Sequence, residues 1–303
     1  MTDQRVLISS VPGNRQRLDG GAMFGNAPRA LWAKLYPPDE ENRISLACRA
    51  LLIERGGERI LLETGIGVFF PPSLRQRFGV FEDEHVLLRS LSELGLTDAD
   101  IDVIVLSHLH FDHAGGLLAP HQEGVPPRLL FPRARFVVSH EALARAEKPH
   151  ARDRASFIPE LPSLLRQSGR LHILPAEATH DPSLPGLRFH YSDGHTPGLM
   201  LTEVCAAPVT GQAEQPGRSV TFLGDLVPGA AWVHLPMTMG YDRYPELLID
   251  EKAAMLGDLL GRRGRLFFTH DHEIALADLE RRPDGRYIAT APRTDGELRR
   301  VAL

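Results

Sequence analysis

The sequence predicts a single α/β domain, and three observations carry that expectation. Short apolar runs recur along the chain, among them IDVIVLS, LRFHYSDGH, SVTFLGD and RLFFTH, and several end abruptly in His or Asp. Amphipathic patterns of helical period lie between them. No composition shift, low-complexity tract or fixed-period repeat divides the 303 residues, so 1–303 reads as one domain.

Taken in order, VLISSV supplies a first strand, and residues 16–43 follow as a Gly-rich, Trp-bearing segment, with GGAMFGNAPRALW at its centre. That segment combines flexible glycines with Met, Phe and Trp that a lone surface loop would not expose. SLACRALLIE and RILLETG then flank Gly56 and Gly57, the signal of a β-hairpin. Val86, Leu87, Leu88, Leu91 and Leu94 recur at helical spacing, and IDVIVLS over 101–107 reads as a compact strand. Residues 114–185 are rich in proline and irregular, with one strand at 134–139 and helical pieces such as EALARAE. They read as insertions over a scaffold, where residues that contact a substrate tend to lie. The leucines of PELLIDEKAAMLGDLLG predict a scaffold helix over 245–260.

Composition narrows the function. With 34 basic and 39 acidic residues the formal net charge is -5, which gives no electrostatic reason to gather on nucleic acid or anionic lipid. The start of the chain lacks the apolar core of a secretory signal, and no stretch approaches the ~20 apolar residues of a membrane helix, so the expected location is cytoplasmic. Cys48 and Cys205 are the only cysteines, too few for a thiolate cage, and Cys48 lies inside an apolar run as a small hydrophobe. Any metal must therefore be held by imidazole and carboxylate.

Such groups are present in a cluster. His108, His110, Asp112 and His113 form an HxHxDH series directly after the strand at 101–107. In extended backbone, residues two apart point to the same side, so His108 and His110 can converge on one ion while Asp112 and His113 turn toward another. His195 in SDGHTPG, Asp225 in FLGD and His270 in FFTH close later runs in the same way. Groups at strand ends collect along one edge of an α/β sheet. Seven ligands fit two divalent ions bridged by a carboxylate better than one four-coordinate ion, and the donor types suit Zn, with Fe, Mn or Co as alternatives.

SHLHFDHAGG, DGHTPG, LGD and the final THD resemble, in order and spacing, the motif series of the metallo-β-lactamase superfamily, over about residues 44 to 275. The resemblance implies a four-layer αβ/βα sandwich with a dinuclear metal site. It implies that His108, His110 and His195 hold the first ion, Asp112, His113 and His270 the second, and that Asp225 bridges. One departure stands out: the family's strand-end DTG is ETG here, with Glu63 in the place of Asp, in a role behind the ligands rather than among them.

GGAMFG near the start and MGYDRYP after the bridging Asp are most similar to the branch that holds quorum-quenching acyl-homoserine lactonases and methyl-parathion-type hydrolases. The resemblance then implies a hydrolase that uses a metal-bridging hydroxide on a lactone or related ester, with Asp112 or a tyrosine carrying the leaving-group proton. Pro228 occupies the place of the tyrosine usual in lactonases, which leaves Tyr241 as the candidate and Tyr244 as its alternative. A phosphotriesterase or arylesterase is the runner-up, and a non-catalytic metal-binding module the reading from another class. The expected partners are a small-molecule ester and a second copy of the chain, with no nucleic acid and no membrane. Residues 16–43 and 114–185 are expected to shape the substrate pocket. Phe24, Trp32, Phe69, Phe70, Trp232 and Tyr241 are weighed as its apolar wall against ordinary core packing, and His234 as a further neighbour of the metals.

Overall fold

The computed structural model describes residues 5–206 and 219–303, and the chain divides into two compact units. The first comprises the chain up to Arg17, Ala47–Ala176 and Arg299–Ala302; the second comprises Leu18–Leu46 and Glu177–Leu298, with Leu303. No helix among the described residues is long and apolar enough to cross a membrane.

The first unit is built on a seven-stranded sheet. From edge to edge its strands are Val301–Ala302, Val6–Val11, Ala50–Arg55, Glu58–Leu62, Val103–Val105, Arg135–Ser139 and Leu171–Leu174. The hairpin between Ala50–Arg55 and Glu58–Leu62 turns at Gly56 and Gly57, both at positive φ (58° and 92°), the conformation a two-residue turn needs for its twist to match that of the strands. From Glu58–Leu62 onward the neighbours are parallel, so each step needs a crossover, and the helices Val86–Glu93, His140–Glu147 and Leu161–Gln167 lie in these connections. Leu52, Leu61, Ile104, Phe136 and Val138 on the strands pack with Leu87, Leu91, Leu143 and Leu165 from the helices into one core, in which Cys48 is also buried. The region 114–185 is more regular than its prolines suggest. Leu161–Gln167 takes Pro162 in its first turn, where a missing N–H costs nothing, and Leu171–Leu174 forms an edge strand too short to stand out by alternation.

The second unit carries a six-stranded sheet in the order Tyr287–Arg293, Leu276–Arg281, Arg265–Phe267, Ser219–Phe222, Leu199–Cys205, Leu187–Ser192. Only Ser219–Phe222 and Arg265–Phe267 are parallel, and the expected helix, Pro245–Arg262, is in the connection between them. Leu187–Ser192 is antiparallel to Leu199–Cys205, which is antiparallel to Ser219–Phe222. The strands 187–192, 219–222 and 265–267 therefore run the same way, and their C-terminal ends share one edge of the sheet.

The aromatic residues of the 16–43 segment go into the core of this unit. Phe24 stacks between Trp32 (centroids 5.3 Å apart) and Trp232 (4.5 Å), and Tyr36 meets both Phe24 and Trp232 edge-on. Gly20 is required there, because a Cβ would stand 2.4 Å from the Trp32 ring. Phe24, Trp32 and Trp232 are thus core residues, not a pocket wall: each is at most 1% exposed. Three flat rings bury more apolar area by stacking on one another than by lining an open surface.

Candidate metal-binding site

In the first unit the parallel pairing of Glu58–Leu62 with Val103–Val105 brings the residues after both strands to the same edge. Glu63 N–H continues the ladder to Val105 O (2.8 Å), and the chain after 105 delivers Ser107 and His108 beside it. Glu63 then leaves the sheet with a φ of 63°, a left-handed conformation unusual for a residue with a side chain. His110 ends the turn and caps the short helix Phe111–Ala114, which carries Asp112 and His113. This helix sits close against the strand-end loop: Thr64 N–H and its hydroxyl both donate to His113 O (3.0 and 3.1 Å), and a Cβ at Gly116 would lie 2.1 Å from Thr64 O. Only glycine permits that approach.

The four residues of the HxHxDH series converge. The His108 ring lies 4.3 Å from that of His110 and 4.1 Å from that of His113, centroid to centroid, and all three imidazoles are buried. Asp112 Oδ1 stands 3.8 Å from His113 Nε2, and its Oδ2 accepts from Gln16 Nε2 at 2.8 Å. Glu63 organises the set from behind. Its Oε2 accepts from His113 Nδ1 at 2.8 Å, and its Oε1 accepts from the Ser107 hydroxyl. That hydroxyl has one proton and spends it on Glu63, so at 2.9 Å it accepts from His108 Nδ1. One carboxylate thus fixes the tautomers of two histidines and leaves Nε2 of each as the atom that could bind an ion. Glu63 lies close enough to His108 and His113 to be counted with them as a ligand. Its oxygens are committed to the opposite sides of the rings, which makes it a support, as the ETG motif suggests.

In the second unit His195, Asp225 and His270 follow the C-terminal ends of the three co-directional strands, 187–192, 219–222 and 265–267. Each is at most 5% exposed. The two Asp225 oxygens face different imidazoles: Oδ2 is 3.2 Å from His195 Nε2, and Oδ1 is 3.3 Å from His270 Nε2. An ion with ligands at ~2.0–2.1 Å in a tetrahedron spaces its neighbouring donors about 3.3 Å apart. The observed spacing therefore fits Asp225 as a neighbour of His195 around one ion and of His270 around another, and the imidazole and carboxylate donors suit divalent transition metals.

Three further residues support this set, and two of them, Asp242 and Asp271, are not singled out by the sequence. Asp242 accepts from His195 Nδ1 at 2.9 Å and from Met239 N–H at 2.6 Å, so His195, like His113, has a carboxylate behind it. Asp271 accepts from Tyr36 Oη (2.6 Å), Ala230 N–H (2.9 Å) and Ile274 N–H (2.8 Å), tying the loop after His270 to the loop after Asp225. Pro228, at the position of the lactonase tyrosine, gives its carbonyl to His270 N–H (2.9 Å). Tyr241 and Tyr244 are 42% and 46% exposed. His234 is an exposed side chain whose pKa is lowered by partial burial and by the positive charge of Lys252 and Arg286. Phe69 and Phe70 pack, half-buried, against each other at 4.0 Å, and Phe70 also packs on Phe78 and Phe111.

Fold and ligand sets together define a recognised class. The family model described as metallo-beta-lactamase superfamily matches residues 45–288, and the chain belongs to that superfamily and carries its fold. A probable metal-dependent hydrolase from Staphylococcus aureus is similar in structure, with a TM-score of 0.80 and 27% identity over 97% of this chain and 100% of that one. AidC, a dizinc quorum-quenching lactonase solved with a product, has a TM-score of 0.71 and 20% identity, covering 95% of each chain, a likeness of fold. In sequence, a probable metallo-hydrolase of Mycobacterium tuberculosis is 31% identical over 127 residues, 38% of this chain. The match spans 36% of that relative's length.

Proposed function

We propose that the chain is a metal-dependent hydrolase that holds two divalent ions and opens lactone or related ester bonds. In this reading His108, His110 and His195 serve one ion, Asp112, His113 and His270 the other, and Asp225 serves both. The observation that carries it is the Asp225 carboxylate, whose two oxygens stand at ligand spacing from two different imidazoles. Zinc best suits the donors, with Fe, Mn and Co as alternatives. When bound, two such ions lower the pKa of water and polarise an ester carbonyl.

The chain's own residues prepare that chemistry. Glu63, Ser107 and Asp242 hold three imidazoles in the tautomer that offers Nε2. Asp112, held by Gln16 at one oxygen and standing beside His113, would take a proton and pass it to a leaving alkoxide, and Tyr241 is the second candidate for that transfer. No serine or cysteine nucleophile is needed.

A lactone is favoured over a polyanion by the net charge of -5. The similarity of fold to lactonases supports the same class. Pro228, in the place of the lactonase tyrosine and engaged through its carbonyl with His270, favours a second reading, an aryl ester or phosphotriester as substrate.

Metal analysis and a substrate panel test this. Protein purified without chelator should approach two equivalents of metal, and Asp225→Asn should lose at least one of them with nearly all turnover. Retained metal and activity in Asp225→Asn would overturn the assignment. Comparison of kcat/KM for an acyl-homoserine lactone, a γ-lactone, a nitrophenyl ester and an aryl phosphotriester under one metal ranks the substrates. A tenfold preference for the triester, about 1.4 kcal/mol in the transition state, would reverse their order.

A further inference from the structure

Lys252, on the helix Pro245–Arg262, is among the largest fully buried side chains of the protein, with 0% of its surface exposed. Its ammonium makes no ion pair among the described residues. It donates instead to three main-chain carbonyls of one loop: Trp232 O at 3.1 Å, His234 O at 3.4 Å and Met237 O at 2.6 Å. All three protons are spent, which removes the amine from consideration as a nucleophile or a base. A buried ammonium is costly, and an apolar side chain of similar volume would often serve stability as well or better. The return must lie in what the ammonium holds.

The clamped loop leads directly to the metal ligands. Two residues beyond the last clamped carbonyl, Met239 N–H donates to Asp242 Oδ2 at 2.6 Å, and Asp242 Oδ1 accepts from His195 Nδ1 at 2.9 Å. Asp242 is also the carboxylate whose charge acts on Lys252 from a distance. The loop between Trp232 and Met239 carries no regular hydrogen-bonded ladder of its own beyond the short turn Ala230–Val233, and its carbonyls converge on a single donor group.

We propose that Lys252 is a positioning residue for the metal site, clamping the 232–239 loop so that Asp242 meets His195 Nδ1 and turns Nε2 toward the proposed ion. The proposal rests on the reading of His195 as a ligand. It makes the long helix more than scaffold: one position on its buried face sets the register of a loop, and the loop sets the angle of an imidazole.

The test is Lys252→Met, measured beside the parent, His195→Ala and Asp242→Asn by chelator competition with Co(II), by the visible spectrum of the bound cobalt, and by thermal melting of the metal-free proteins. Lys252→Met should bind one of the two ions about tenfold more weakly and alter the spectrum of that ion, while the other ion keeps its affinity. Asp242→Asn should weaken the same ion, and the double variant should be no weaker than Asp242→Asn alone. A role in packing alone would lower the melting temperature and leave both affinities unchanged, and that result overturns the proposal. If Lys252→Met does not fold, Lys252→Gln, which keeps a donor to the same carbonyls, takes its place with an expected loss of about threefold to tenfold. Unchanged affinity there overturns the proposal equally. If His195→Ala keeps both ions, the metal assignment itself has failed; if His195→Ala loses an ion and the Lys252 variants lose none, only the Lys252 proposal falls.

Discussion

Replacing Glu63 with Gln keeps the volume of the side chain and removes one acceptor. The carboxylate accepts from two donors, the Ser107 hydroxyl that relays His108 and the His113 ring at 2.8 Å. An amide has one acceptor oxygen and a donor NH2, so one of the two arms must oppose donor to donor. If the NH2 faces His113, the ring shifts its proton to Nε2 and ceases to offer a ligand. If it faces Ser107, the hydroxyl proton is displaced and His108 loses its relay. A hydrogen bond to a charged group contributes about 1.5–3 kcal/mol. Loss of a residue that orients a ligand costs roughly 10–100-fold in metal affinity, about 1.4–2.7 kcal/mol, so the two scales agree. The expected outcome for Glu63→Gln is thus a loss in that range, measured by competition against a chromophoric chelator at fixed pH, with the metal-free melt recorded alongside. Affinity within twofold of the parent for both ions would refute the claim that Glu63 sets the tautomers.

Asp242→Asn, by contrast, reaches only one of the proposed ligands, His195, and should weaken one ion while sparing the other, read out as a split in the two binding steps. Trp232→Ala removes a ring stacked on Phe24 and bonded through its Nε1 to Met23 O, and should lower unfolding free energy by about 3–5 kcal/mol in a denaturant titration. Glu203 makes acid stability testable: burial raises its pKa, but hydrogen bonds from His190, Arg262 and Ser219 outweigh that and bring it from 4.5 to about 2. A carboxylate depressed in the folded state contributes stability above its unfolded pKa and loses it as pH falls through the folded one. Glu203 should therefore contribute about 3 kcal/mol at neutral pH, lost between pH 4.5 and 2. Urea titrations of the parent and Glu203→Gln across that window should converge as pH falls, and a constant gap would contradict the assignment.

What the sequence discloses is what is local. The Gly56–Gly57 hairpin, the helix Pro245–Arg262 expected over 245–260, and the His and Asp residues that follow strand ends are all written in patterns a few residues long. The support of the site is not local. Asp242 stands 47 residues from His195, and Tyr36 lies 235 residues from Asp271, so no periodicity or motif connects them. Glu63 was visible only because it departs from a familiar triplet. Lys252 sits in an amphipathic helix pattern where a lysine reads as a solvated position, and only the packed loop reveals that it points inward. For the aromatic residues of the 16–43 segment the sequence leaves a pocket wall and core packing side by side, because the partner that decides for the core, Trp232, lies far along the chain.

The arrangement behind the ligands also bears on how two ions would share one site. In the proposed assignment the first ion takes His195, backed by the Asp242 carboxylate, and the second takes His113, backed by the Glu63 carboxylate. A carboxylate behind an imidazole raises its basicity as a ligand, and a hydroxyl does so less. His108, backed by the hydroxyl of Ser107, is the weaker donor, but it reaches Glu63 through that hydroxyl and so shares the support of His113. Each ion then has one strongly backed imidazole, and the two positions are matched rather than ranked as tight and loose. Glu63 supports a ligand of each ion while Asp242 supports one, so the residue that departs from the family triplet is the one whose loss should be felt at both ions. That asymmetry separates a shared support from two independent ones, and the binding steps of Glu63→Ala, which removes both acceptors, and of Asp242→Asn measure it directly.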